Sequence, residues 1–368
     1  MPTKNLKMKK LLFLAPKLLK TAGVFGLLTI LTVTSVVAAN LSDEEKAQKR
    51  QDLEKFFSNA LIQTKPEAVK KTYQTLQMTG SGSTRYGYDS NVDLDSSEEG
   101  DFFYQEKIGG KLEYAPEGAS LWGMPILGGV EGRYDYWGYF DRDDMNRQTI
   151  YGAPYLQLNI NQDLELQAAY EFRARLYDTR DDLSYFSNGA KTSLTHRIIP
   201  GLTQKGTFSY ERLDYTDRAA LLPDGNFSAS DRQDNRYEAS YGIRDRIGPW
   251  TIDLGGSWLW NDSNDQYFDY NDFNEAGIDG SVSYRATERL VLTGFGGWHK
   301  REYDSRLISP EFTTVQSDDW YYAGARAFYA INAWSGLDVT FTYYQNDSND
   351  PNHEYDSMIT SAGYHIYF

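Results

Sequence analysis

The sequence predicts an all-β chain: a transmembrane antiparallel up-and-down β-barrel of about 14 strands with a short N-terminal helical arm. Three observations carry this. From Thr79 onward apolar and polar residues alternate with period two, in segments of about ten or more residues. The connections between these segments fall into two classes, tight turns and long polar loops, as in barrels that cross the outer membrane. After the N-terminal leader, no stretch approaches the roughly 20 apolar residues of a transmembrane helix. A membrane form must therefore close its sheet, because an open edge leaves backbone groups unsatisfied in lipid.

The first 39 residues read as a secretory signal peptide. Lys4, Lys7, Lys9, Lys10, Lys17 and Lys20 precede an apolar run from about Ala22 to Val37, and Val37-Ala38-Ala39 offers a small-residue cleavage site. The alternative is a retained anchor, for which the apolar run is short. Residues 40–78 read as a periplasmic helical arm or plug. Ser42 and Glu45 form a capping box. Leu53, Phe56, Phe57, Ala60 and Leu61 keep helical spacing, and Pro66 restarts a helix that Val69, Tyr73 and Leu76 continue. Three roles remain open for this arm: a solvated tether, a plug within the barrel, or a docking element for a periplasmic partner.

Residues 79–368 form the barrel, with strands expected near 79–89, 102–115, 126–140, 148–160, 164–177, 185–198 and 202–215. The remaining seven are expected near 233–246, 250–261, 274–285, 289–304, 319–331, 337–346 and 355–368. The fifth is the clearest: Leu164, Leu166, Ala168, Tyr170, Phe172, Ala174 and Leu176 oppose Glu165, Gln167, Glu171, Arg173 and Arg175. Farther on, Trp250, Ile252, Leu254, Trp258 and Trp260 oppose Thr251, Asp253, Ser257 and Asn261. Ala276, Ile278, Val282 and Tyr284 oppose Asp279, Ser281, Ser283 and Arg285, and Leu337, Val339, Phe341 and Tyr343 oppose Asp338, Thr340 and Thr342. Tight turns fall at 161–163, 200–201, 248–249, 286–288 and 333–336. Long loops are expected at 90–101, 216–230, 262–272, 305–317 and 346–352. Two features fit less well. Pro154 lies inside a strand, where it removes a ladder donor, and the glycine-rich stretch from Met124 to Tyr139 has the composition of a bulged strand.

Composition agrees with a barrel. Aromatics are 15% of 368 residues, with 29 Tyr and 8 Trp, as two interfacial girdles require. Mean hydropathy is only −0.61, which a barrel tolerates because alternate residues face water. There is no Cys, so the hydrogen-bonded sheet alone must hold the exported chain. The net charge is −15, and removal of the six leader lysines takes it to −21, which argues against a nucleic-acid partner.

Parity assigns the charged residues to the inner face. Arg133, Glu131, Glu171, Arg173, Arg175, Asp253, Asp279, Arg285 and Arg326 are the candidate channel-lining residues. Arg85, Lys107, Lys111, Lys191, Arg197, Lys205 and Arg244 share that face, as do Glu113, Asp135, Glu165, Glu211 and Glu238. The face is mixed, with a slight basic excess. It reads either as a water-filled, charge-lined pore or as a salt-bridge lattice filling a closed interior. Inner aromatics such as Trp137, Tyr151, Tyr155, Trp320 and Tyr322 are candidates for stacking on sugar rings, although most barrel aromatics are girdle residues.

Acid concentrates where strands leave the membrane. Asn261–Asp265 and Asn346–Asp350 repeat the same Asn-Asp-Ser-Asn-Asp string. Asp262, Asp265, Asp347 and Asp350 are weak candidates for Ca²⁺ or Mg²⁺, since hard cations take oxygen ligands. Turn formation explains the same residues equally well. No catalytic signature and no other cofactor motif is present: His196, His299, His353 and His365 are scattered, without a Ser or Asp motif beside them. The chain reads as a non-enzyme.

The chain closes on a strand ending Tyr364-His-Ile-Tyr-Phe368, in which Met358, Ala362, Tyr364, Ile366 and Phe368 share a face. This end resembles the assembly signal of bacterial outer-membrane barrels, which implies the barrel-assembly machinery as a partner and outer-membrane lipid and lipopolysaccharide as surroundings. Together with Tyr86–Val92 and Tyr343–Asp350, it resembles porin-type β-barrels, some of which accompany exopolysaccharide export. It is also similar to the barrel half of surface lipoprotein assembly modifiers. The resemblance spans about residues 79–368 and implies a channel passing hydrophilic solutes or a glycan. The alternatives are an accessory barrel of an export or surface-assembly system, and a structural or adhesive barrel with a filled lumen.

Overall fold

In the computed structural model, residues 76–92, 99–266, 271–308, 314–351 and 353–368 are described. The signal peptide and nearly all of the helical arm lie outside them. Fourteen antiparallel strands form one closed sheet. They are β1 (Leu76–Asp89), β2 (Asp101–Tyr114), β3 (Met124–Tyr139), β4 (Arg147–Asn159), β5 (Leu164–Tyr177), β6 (Tyr185–Ile199) and β7 (Leu202–Leu221). Then come β8 (Phe227–Ile247), β9 (Trp250–Ser263), β10 (Phe273–Arg285), β11 (Leu290–Leu307), β12 (Val315–Asn332), β13 (Ser335–Ser348) and β14 (Tyr355–Tyr367). Each strand pairs with its sequence neighbours, and β1 pairs with β14 from Ser81↔Tyr367 to Asp89↔Ile359. That last ladder removes both edges of the sheet.

Period two sorts the side chains. Leu254, Trp258, Val339, Phe341, Leu292 and Ile278 are exposed on the outer face. Aromatics gather toward both ends of that face. Trp250 packs on Tyr284 near the short turns, with ring centroids 4.5 Å apart, and Tyr210, Tyr237 and Trp260 form a run near the loops. Tight connections suit their residues: Gly201 and Gly248, in the turns 200–201 and 248–249, have φ of +93° and +58°, a region that favours glycine.

Several expectations need correction. β1 starts at Leu76, so Leu76–Met78 pair with Leu112–Tyr114 instead of ending the helical arm. The expected loop 216–230 is mostly strand. β7 and β8 run on to Leu221 and from Phe227, through register shifts between Asp214 and Leu221. The extension carries its own packing, with the Arg232 and Arg218 guanidinium groups over the Tyr215 ring at 4.7 and 5.8 Å. β11 and β12 likewise shorten the loop expected at 305–317. The glycines of β3 cause no bulge, since its register with β2 is constant from Tyr114↔Gly128 to Phe103↔Tyr139. Pro154 stays in the ladder to β3, while pairing with β5 lapses between Gly152 and Tyr155 without a shift.

Two loops repeat one device. Tyr139–Asn146 and Tyr177–Ser184 each hold a short 3-10 turn, Asp143–Met145 and Asp181–Leu183. In each, an arginine folds onto the carboxylate two residues on: Arg142 Nε to Asp144 at 3.1 Å, and Arg180 Nε to Asp182 at 3.0 Å. These hydrogen bonds hold both carboxyl groups below the usual carboxylate range. The side chains of Asn146 and Ser184 then accept from the backbone N–H of Tyr139 and Tyr177, at 2.6 and 2.9 Å.

The two faces of one strand should respond oppositely to charge. Leu254→Arg places a cation on the lipid face and should destabilise the barrel by about 2–4 kcal/mol. Ser257→Arg, three residues on and facing inward, should cost far less. Denaturant unfolding in lipid vesicles reads both.

Candidate functional site

The inner wall carries the chemistry, and its charges are ordered in sectors. In the first, Arg133 lies over the Tyr151 ring at 5.0 Å, and the Tyr151 hydroxyl donates to Glu171 at 2.7 Å. Lys191 also reaches Glu171, at 3.6 Å. Next to it, Arg173 pairs with Glu211 at 3.1 Å, and Ser187 donates to the same carboxylate at 2.6 Å. In the second sector, Arg244 pairs with Asp253, and Asp279 accepts from Tyr322 and faces His299 Nε2 at 3.1 Å. Glu275 faces the other ring nitrogen of His299 at 3.2 Å, and His299 stacks on Trp320. In the third, Asp338 gathers Arg85 at 2.8 Å, Arg326 at 3.0 Å and His365.

One local device recurs through these sectors. Three residues stand in register across three strands, the middle one is glycine, and its flanking partners hydrogen-bond over it. Glu113, Gly129 and Tyr155 are such a set, with the bond at 2.9 Å. Asp279, Gly297 and Tyr322 are the second, and Arg85, Gly363 and Asp338 the third. A Cβ on any of these glycines would run into the bridging side chains. At Gly363 it would lie 2.6 Å from Asp338 Oδ1 and 3.3 Å from Arg85 Nε. Neighbouring side chains in a sheet stand too far apart for a short polar group to cross two strand spacings over a bulky middle residue. Glycine opens that path.

The candidate channel-lining residues thus divide. Glu171, Arg173, Asp253, Asp279 and Arg326 are in ion pairs or hydrogen bonds, and Arg133 and Arg175 lie on aromatic rings. Glu131 and Arg285 have no ion-pair partner among the described residues. The inner aromatics are engaged by the protein itself: Trp137 stacks on Phe103, Trp320 on His299, and the hydroxyls of Tyr151, Tyr155 and Tyr322 are bound to carboxylates.

Among the described residues there is no group of three or more His, Asp or Glu side chains able to hold a metal. Asp265 accepts from Asn271 at 2.9 Å, while Asp262 and Asp347 are exposed. Asp350 lies 3.2 Å from His353. The second asparagine of each string explains the repeat. Asn264 bonds the backbone of Gln233 and Asp231, and Asn349 bonds that of Ser317 and Val315. Each side chain thereby extends its neighbour's ladder past the strand end.

Mid-wall charges are open to water. The side chains of Lys107, Lys191 and Asp279 are 44%, 42% and 44% accessible, more than a packed lattice would leave. Small residues (Thr207, Ser240, Gly242, Gly255, Ser257) floor a hollow of about 460 Å³ between Lys205, Glu238 and Asp279. A closed sheet, an even strand number, an apolar outside and a charged inside decide the solvent. The chain is a β-barrel of the bacterial outer membrane. The short turns then face the periplasm and the loops the exterior.

No known family profile and no curated protein matches the sequence. Solved outer-membrane barrels are similar in fold. OmpT of Vibrio cholerae aligns over 80% of this chain and 100% of its own, at 9% identity and a TM-score of 0.44. An anion-selective porin from Comamonas acidovorans aligns over 80% and 99%, at 8% identity and 0.44. A bacterial polysaccharide outer membrane secretin aligns over 81% and 99%, at 11% identity and 0.42. At such identities the likeness concerns the fold alone.

The sequence left Glu275, His299, Arg236 and Arg301 unassigned to the inner wall of this outer-membrane barrel, although His299 was weighed among the four histidines. Strand parity was the available signal, since Arg236 alternates with Glu238 and Glu275 with Asp279. Arg232 and Arg306 lay beyond the expected strand ends.

The glycine device is testable. Gly363→Ala should lower unfolding stability by about 1–3 kcal/mol, the usual cost of overpacking. Gly294→Ala, where a Cβ meets nothing within 4 Å, should stay within about 0.5 kcal/mol. Guanidinium unfolding curves of the two variants decide it.

Proposed function

We propose that this barrel is a water-filled channel passing hydrophilic solutes across the outer membrane, with a preference for anions. The observation that carries the reading is the accessibility of the mid-wall charges: a filled interior would bury Lys107, Lys191 and Asp279. The anion preference follows from which charges are left over. Arg133, Arg175, Arg197, Lys205 and Arg285 have no carboxylate within ion-pair distance among the described residues, against Glu131 and Glu238 on the acidic side. Unbalanced wall cations raise the local concentration of anions and slow that of cations. Glycan passage is a finer form of the same reading, and the interior aromatics give it no added support because Trp137 and Trp320 are stacked on other rings and the hydroxyls of Tyr151, Tyr155 and Tyr322 are bound to carboxylates.

Planar-bilayer recording of the purified, refolded protein tests this. Steady single-channel conductance is expected, with a reversal potential in a salt gradient that favours chloride over potassium. Lys205→Glu should move that potential toward potassium. Absence of conductance, with folding confirmed by heat-dependent gel migration, would overturn the channel.

A further inference from the structure

The inner wall holds a second pocket of different chemistry, nearer the exterior. It encloses about 230 Å³ and is lined by Arg232, Arg236, Arg301 and Arg306 against a single carboxylate, Glu275. Phe273, Tyr303 and Leu259 supply its apolar walls. We propose that this pocket is a binding subsite for oxyanions, the phosphate or carboxylate group of a solute entering from outside.

Each guanidinium is held before any ligand arrives. Arg301 donates twice to Glu275, at 2.9 and 2.6 Å, and lies over the Phe273 ring at 4.3 Å. Arg232 donates twice to Asp234, at 2.8 and 2.6 Å, and lies over Tyr215. Arg306 is set by His353 at 2.9 Å and by the Tyr303 ring at 4.9 Å. Arg236 spends only Nε, on Asn261 at 2.9 Å, and its terminal nitrogens have no carboxylate within ion-pair distance among the described residues. Arginines fixed on rings and carboxylates lose little freedom on binding, and their planar forks match oxyanion geometry. Glu275 and Asp234 offset Arg301 and Arg232, so four guanidinium groups around one small pocket still carry an excess of positive charge that an anion would join. Glu275 also borders the deeper hollow with Glu238 and Asp279, so the wall turns acidic just beyond the arginines. An anion would dwell at the arginine pocket before passing on.

The subsite rests on the reading of an interior open to solutes, and two measurements separate the claims. The first is calorimetry of the detergent-folded barrel with inorganic phosphate and, separately, with D-glucuronate. Saturable binding of either is expected, weakened by salt. Arg236→Gln combined with Arg306→Gln should lower affinity about tenfold or more, the scale of one or two charged hydrogen bonds. Arg212→Gln, which removes an exposed cation paired to Asp214 on the outer face, should change it less than about twofold. Gel migration verifies folding, and either single variant carries the test if the double does not fold. No binding in the wild type, or equal binding in the arginine variants, would overturn the subsite. The second is conductance: a silent barrel that still binds phosphate keeps the subsite and removes the channel, while a conducting barrel that binds neither probe removes the subsite alone.

Discussion

Backbone hydrogen bonding in a solvent without water is the constraint on which this structure depends. A sheet in hydrocarbon has to close, because each unpaired N–H or C=O costs several kcal/mol there. The ladder between β1 and β14 performs that closure and joins the two ends of the sheet. The wall reinforces the same seam. Arg85 on β1 reaches over Gly363 on β14 to Asp338 on β13, and Arg326 and His365 complete the hub. A carboxylate this buried needs partners of opposite charge; Arg85 and Arg326 supply them, and His365 adds a hydrogen bond. The ion cluster and the ladder therefore lock the first strand to the last together.

Closure also determines what the two faces are. Once the sheet is a cylinder, every second residue meets lipid and the rest meet one another across a narrow interior. Leu254 and Val339 stand on one side of that division, Asp253 and Asp338 on the other. The glycine sets follow from crowding within. Where Tyr155 must reach Glu113, or Tyr322 must reach Asp279, the strand between them gives up its side chain. The interior is thus tied together along its wall, while Lys107, Lys191 and Asp279 keep much of their side chains accessible.

Much of this was legible in the sequence. Period two, the two classes of connection and the terminal alternation of Met358 to Phe368 define a barrel, and parity put Arg85, Arg326 and Asp338, which pair with one another, on one face. Strand ends were less legible. Thr216–Ser230 is polar enough to read as a loop, yet Tyr215, Arg218 and Arg232 pack with one another and keep it paired. The glycine sets were invisible, because they need the register of three strands at once and no single segment records it. The Asn-Asp-Ser-Asn-Asp strings were visible but ambiguous. The same string suits a cation or a turn, and its second asparagine does neither: Asn264 and Asn349 bond the backbone of the neighbouring strand. The arginine pocket escaped for a related reason: its arginines come in pairs from two strands that are not neighbours, β8 and β11, and two of them lie past the expected ends.

The account's central claim is that the alternating face of each strand lines water rather than a packed core. Since the chain has no cysteine, single cysteines along β9 can be probed one at a time with a bulky, water-soluble thiol reagent in lipid vesicles. The account predicts labelling at Asp253, Ser257 and other inward positions, and protection at Ile252, Leu254 and Trp258. Protection on both faces would contradict it and leave a filled barrel. Labelling on both faces would contradict the membrane-spanning register itself.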